Sequence, residues 1–225
     1  MVRSRRDVLR TGGAVLAASI AGCTGGNEGD DPEPTGEATT EATTDATTAF
    51  EPADSLPTPT LGPDDAPVSV SVYADYACKH CRNYVLDTFP QLREEYVETA
   101  IVNYEHHDFP LPVDERWSWE IPSAALSVLD TRDLETFFDF STTIYEHHGS
   151  YSYEALERVA ESVGADPDRV RRAAEEELYR DIVEEDRETG ASIAVDSTPT
   201  IFVDGSKTSH YRFDDVAEAI EAARP

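Results

Sequence analysis

The chain has 225 residues and a formal charge of −28, from 46 acidic and 18 basic side chains. With so few cations there is no basic stripe to meet a phosphate backbone, which disfavours nucleic-acid binding. Charge repulsion on this scale is relieved only when molar salt shortens the Debye length to about 3 Å, so the composition reads as adaptation to high salt.

The N-terminus reads as an address. Ser4-Arg5-Arg6-Asp7-Val8-Leu9-Arg10 sets paired arginines ahead of an apolar run over 12–21 that is too short to span a bilayer. That is the layout of a twin-arginine export signal, residues 1–22. The run ends in Ile20-Ala21-Gly22-Cys23, which resembles a lipobox and predicts cleavage before Cys23 and lipidation of its sulfur. Residues 23–61 are rich in Thr, Glu, Gly, Pro and Asp and nearly free of apolar side chains. Such a segment cannot bury enough surface to offset its ordering entropy, and it reads as a tether holding a domain, residues 62–225, off the membrane.

Within that domain, 68–73 alternates apolar and small residues and predicts a strand. A helix is expected from Cys78 to Thr88, stopping before Pro90, and a second strand over 100–104, broken by Phe109-Pro110-Leu111-Pro112. Helices dominate from about 115 to 190. One has Pro122 in its first turn and ends near Leu129. Others are expected over 133–147 and 153–163, and a last one opens at Asp166-Pro167 and is ended by Gly190. Thr200–Val203 predicts a strand, Asp204-Gly205 a hairpin turn, 208–211 its partner strand and 214–223 a closing helix. The order is β–α–β, a helical block, then β–β–α.

Three cysteines are present, and lipidation accounts for Cys23. That leaves Cys78-Lys79-His80-Cys81, two cysteines at the start of a helix directly after a strand. Unsatisfied N–H groups and the macrodipole favour a thiolate there, and such cysteines have pKa values lowered to roughly 3.5–7.5. Cys78 is the more exposed position and reads as the attacking thiol, with Cys81, one turn deeper, as the resolving thiol. Lys79 and His80 add positive charge, and protonated His80 stabilises the reduced state, making the disulfide the stronger oxidant. A zinc site lacks a second cysteine pair, haem attachment lacks a histidine directly after the second cysteine, and an inert structural disulfide is a further alternative. A Cu(I) site using the two thiolates and a histidine such as His106 or His107 stands as a rival from another class. Asp75, three residues before Cys78, is either a proton relay to Cys81 or a turn residue. Trp117 and Trp119 read as packing residues, and His106, His107, His147, His148 and His210 as solvated or locally bonded histidines.

Taken together, Asp75-Tyr76-Ala77-Cys78-Lys79-His80-Cys81 after a strand, Phe109-Pro110-Leu111, the helical insertion, and Thr198-Pro199 before Ile201-Phe202-Val203-Asp204-Gly205 resemble the DsbA-like family of thioredoxin-fold thiol–disulfide oxidoreductases. The resemblance covers the chain from about Asp64 to its end. It implies an α/β thioredoxin fold with an inserted helical block, a cis bond before Pro199 lying against the cysteine pair, and substrate binding by Thr198 and Pro199. It also implies a monomer that needs no metal or organic cofactor, that forms or exchanges disulfides in exported proteins, and that is reset by a membrane redox partner linked to quinone. A surface reductase serving cytochrome or copper-site maturation is the alternative of opposite direction. Many relatives have proline directly after the first cysteine; Lys79 stands there in this chain, at a position that tunes thiolate stability.

Overall fold

The computed structural model describes residues 51–225. The expected export signal, Cys23 with its expected lipidation, and the expected tether as far as residue 50 lie outside the described residues. The described elements are short, and they build one mixed sheet with helices packed on it.

Strands β1 (Thr60–Leu61), β2 (Val68–Ala74), β3 (Val102–Asp108), β4 (Thr200–Val203) and β5 (Ser206–Lys207) form the sheet in the order β1-β3-β2-β4-β5. The central pair β2 and β3 is parallel, with Val68 opposite Val102 and Ala74 opposite Asp108. The other three pairings are antiparallel. β1 corrects the expected boundary at residue 62. Thr60 and Leu61 pair with Glu105 and Tyr104, and Leu56 packs on the core, so the folded part begins inside what reads as tether. A two-residue edge strand is held by its partner's backbone groups and leaves little hydrophobic pattern to find.

Between β2 and β3 the helix does not stop before Pro90. α1 (Lys79–Asn83) passes into a π-turn (Tyr84–Thr88), then α2 (Phe89–Leu92) and a second π-turn (Arg93–Val97). Pro90 has no N–H to offer and its ring crowds the carbonyl four residues back. The π-turn widens the ladder just before it, with Phe89 N–H donating to the Tyr84 carbonyl, and the helix continues. β3 is also longer than expected and reaches Asp108. Its inward residues are Val102, Tyr104, His106 and Asp108, which places an imidazole and a carboxylate in the core, where they pair at 3.3 Å.

The helical block comprises α3 (Trp117–Leu129), α4 (Leu134–Ile144), α5 (Tyr153–Ser162), α6 (Pro167–Glu175) and α7 (Arg180–Ser192). Asp133, Ser152 and Asp166 cap α4, α5 and α6 through their side chains. α3 packs on α4, α6 and α7, and α7 also meets β3. Pro122 lies in the interior of α3 rather than in its first turn, because the helix begins earlier, at Trp117. Gly190 does not end α7. The helix runs to Ser192 and closes in a Schellman turn, Val195 N–H to the Gly190 carbonyl and Ala194 N–H to the Ala191 carbonyl, with Ala194 in the left-handed region (φ 63°). Gly190 is needed for room: a Cβ there would lie 2.8 Å from Phe109 and 2.9 Å from Tyr73. After the Asp204-Gly205 turn, both residues at positive φ, β5 is only two residues long, and 208–211 leaves the sheet instead of pairing. α8 (Phe213–Ala223) then packs against β4 and α2.

Candidate active site

β2 ends at Ala74, and a three-residue turn carries the chain to Cys78, the N-cap of α1. Cys78 is 7% exposed and Cys81 fully buried, and both are free thiols. The Thr198–Pro199 peptide is cis, as the resemblance implies, and the Thr198 carbonyl oxygen lies 3.4 Å from Cys78 Sγ. The sequence-predicted Cys78, Cys81, Thr198 and Pro199 are thus brought together at one end of the sheet, although 120 residues separate Cys78 from Thr198.

The two thiols are driven in opposite directions. Cys78 is pulled from the ordinary 9.0 down to about 5, first by the hydrogen bond from the Cys81 thiol and against the raising effect of burial. The backbone N–H groups of Cys81 and His80, at the open end of α1, add to the lowering. The Thr198 side chain lowers it further. Cys81 is pushed well above its ordinary value, first by burial and then by its bond to Cys78. Its Sγ also accepts the Asp75 N–H at 3.4 Å.

The Asp75 side chain is 1% exposed, and both its oxygens are hydrogen-bonded. Oδ1 accepts from Ala77 N–H at 2.8 Å, and Oδ2 from Leu111 N–H at 2.8 Å and Ser118 Oγ at 3.0 Å. Burial raises its pKa to about 6 against these three bonds, with the nearby Cys78 charge a further raising influence. One carboxylate therefore ties the active-site turn to the segment after β3 and to α3. Two more ties come from the stretch between α4 and α5: His148 Nε2 lies 3.0 Å from the Ala77 carbonyl, which it can only meet as a donor, and Tyr151 OH donates to the Tyr76 carbonyl at 2.8 Å. Ser118, His148 and Tyr151 are site residues that sequence reasoning missed. Nothing in their local sequence distinguishes them, because their partners are groups at least 43 residues away.

His80 is exposed, with Nδ1 3.0 Å from Tyr211 OH, and Lys79 is exposed and forms no ion pair among the described residues. His106 is not solvated but paired with Asp108, and His107 is held by Asp186 at 3.0 Å and stacked on Tyr73. Trp117 and Trp119 pack at the edge of the core, with the Arg180 guanidinium 3.7 Å from the Trp119 ring centroid. Among the described residues no group of three or more His, Cys, Asp and Glu side chains is placed to hold a metal ion, and no helix is long and apolar enough to cross a membrane.

A strand, a turn, two thiols of opposed acidity at a helix start and a cis-proline loop facing them form a site for disulfide exchange. The model of the family described as thioredoxin matches residues 54–222. Disulfide bond formation protein D of Bacillus subtilis is 25% identical over 170 residues, spanning 72% of this chain and 75% of that protein. Among solved structures, oxidised BdbD of Bacillus subtilis superposes with a TM-score of 0.68 at 24% identity, covering 74% of this chain and 92% of that one. DsbA of Chlamydia trachomatis gives 0.65 at 19% identity, covering 76% and 94%. The two structures share the fold.

Proposed function

Since the chain belongs to the thioredoxin family and is a DsbA-like thiol–disulfide oxidoreductase within it, we propose that it forms or exchanges disulfides in exported proteins through Cys78 and Cys81. The observation that carries this reading is the asymmetry of the pair, an acidic thiol at the rim and a basic one beneath it. In the oxidising direction a substrate thiolate attacks Cys78 Sγ, the Cys78–Cys81 bond breaks, and Cys81 receives the electron pair and a proton. A second substrate thiolate then attacks the substrate sulfur of the mixed disulfide, and Cys78 departs as a thiolate. A thiol ionised near pH 5 is a good leaving group, and release of substrate is favoured. Two electrons stay on the pair until a membrane redox partner removes them.

Thr198 and Pro199 position the substrate in this reading. The Thr198 carbonyl, 3.4 Å from Cys78 Sγ, faces the thiol pair and accepts an N–H from an extended substrate chain, as in strand addition. Lys79, and His80 when protonated, add positive charge at the open end of α1 in this reading. Asp75 organises the turn through the three donors its carboxylate receives, and a proton relayed to or from Cys81 would sit on the remaining lone pair of Oδ1. The leader and Cys23 place the enzyme, in the same reading, on the outer face of the cytoplasmic membrane as a lipid-anchored monomer working in high salt.

The test is to replace Cys81 by serine and present a reduced, exported protein in the presence of an oxidant. A stable mixed disulfide through Cys78, absent from Cys78→Ser, is the expected outcome. Direction is set by the reduction potential against glutathione in molar salt, on a scale from about −270 mV for a reducing thioredoxin to about −120 mV for a strong oxidant. A value at the reducing end recasts the protein as a surface reductase.

A further inference from the structure

The segment after β5 carries a residue aimed at the active site from outside the cysteine motif. Thr208 N–H still donates to the Ile201 carbonyl, but its Oγ1 turns to the His210 carbonyl and the chain leaves the sheet. Tyr211 then packs its ring against the edge of the core just ahead of α8, and its hydroxyl meets Nδ1 of His80 at 3.0 Å, from 131 residues away. The rings are tilted at 53° with centroids 5.8 Å apart. This is the one hydrogen bond of the His80 side chain among the described residues.

A phenol hydroxyl both donates and accepts. It gives its proton to Nδ1 of the neutral imidazole, which leaves the ring proton on Nε2, and it accepts from Nδ1–H of the imidazolium. A carboxylate or an ammonium serves only one of those states. The remaining charged groups near the ring are Lys79 and Arg82 on its own helix, and Asp87 and Arg212 lining the adjacent recess with Tyr211. None of these forms an ion pair with His80.

We propose that Tyr211 is a positioning residue for disulfide exchange at Cys78: its hydroxyl fixes the His80 imidazole at the open end of α1 whichever protonation state the ring is in. The proposal rests on the reading that His80 stabilises the Cys78 thiolate. An exposed imidazole without this anchor spreads over several rotamers, and its charge is averaged and screened by solvent.

The experiment measures the equilibrium of the full-length protein with glutathione, in molar salt, for Tyr211→Phe, His80→Ala and the double variant. Phenylalanine keeps the packed ring and removes only the hydroxyl. We expect Tyr211→Phe to shift the equilibrium two- to fivefold toward the disulfide form, about 9–21 mV on a scale of 29.6 mV per tenfold. The thiolate absorbance of Cys78 should move to higher pH in step, and the double variant should match His80→Ala alone. A Tyr211→Phe protein at the wild-type potential, with His80→Ala shifted, overturns the proposal and leaves the role of His80 intact. The proposal is equally overturned if Tyr211→Phe has its full effect in the His80→Ala background, for the tyrosine then acts by another route. An unshifted His80→Ala removes the underlying reading and the proposal with it.

Discussion

The depressed Cys78 thiol has a quantitative consequence for stability. Its folded-state pKa is lowered from 9.0 to about 5, so the ionised form stabilises the reduced protein. That contribution is complete above pH 9, where the unfolded thiol also ionises, and it is lost as pH falls through 5. At 1.36 kcal/mol per pH unit, the rise from pH 5 to pH 7 is worth about 3 kcal/mol. Only reduced protein has the group, so the gap between reduced and oxidised stabilities must change by this amount across the window, in favour of the reduced form. The same energy corresponds to about 60 mV at pH 7, toward a stronger oxidant, relative to a pair with ordinary thiols. The assay is guanidinium unfolding of both redox forms from pH 4 to pH 8 in constant high salt. Asp75 also titrates in this range, but the burial that chiefly raises it persists in both forms, and most of its effect cancels in the difference. A gap that stays flat between pH 5 and pH 7, or changes only near pH 9, refutes the reasoning.

Asp75, with its pKa raised from 3.8 to about 6, works with the opposite sign: its contribution falls as pH rises through this interval. The stability advantage of wild type over Asp75→Asn should therefore shrink by up to about 3 kcal/mol between pH 4 and pH 7, measured by unfolding of the oxidised forms. Gly190→Ala forces a methyl against Phe109 and Tyr73 and should cost about 1–3 kcal/mol, despite alanine's better helix propensity, read as a lowered denaturation midpoint. With a net charge of −28, the thermal midpoint should rise as salt goes from about 0.1 M to 1 M and the Debye length falls from about 10 Å to 3 Å; an unchanged midpoint would contradict the salt-adapted reading.

The thiol pair, the strand before it and the helix it opens were legible because their signals are local: alternation in 68–73, two cysteines one turn apart, an Asp-Gly turn. The features that were not legible depend on what lies far away in the chain. Gly190 looks like a helix stop, and it is a helix residue whose missing Cβ makes room for two rings of the sheet layer. Pro90 looks like a helix stop as well, and a π-turn absorbs it. Residues 208–211 carry strand-like side chains but are turned out of the sheet, which is how Tyr211 comes to meet His80. Leu111, Ser118, His148 and Tyr151 contribute one donor each to the active-site turn, and no spacing rule marks a residue that binds a distant carbonyl or carboxylate.

Those four donors have a mechanical consequence. The turn that presents Cys78 is fastened at Asp75, Tyr76 and Ala77 to groups from three separate stretches of the helical block and its approach. In chain order the insertion looks like an appendage to a thioredoxin core; in space it is the vice in which the reactive turn is clamped. A rocking motion of that block against the sheet would pull on these four bonds and so on the turn that holds the thiol. Transplanting Cys-Lys-His-Cys into a bare thioredoxin would carry the sulfurs across without the jaws that hold them.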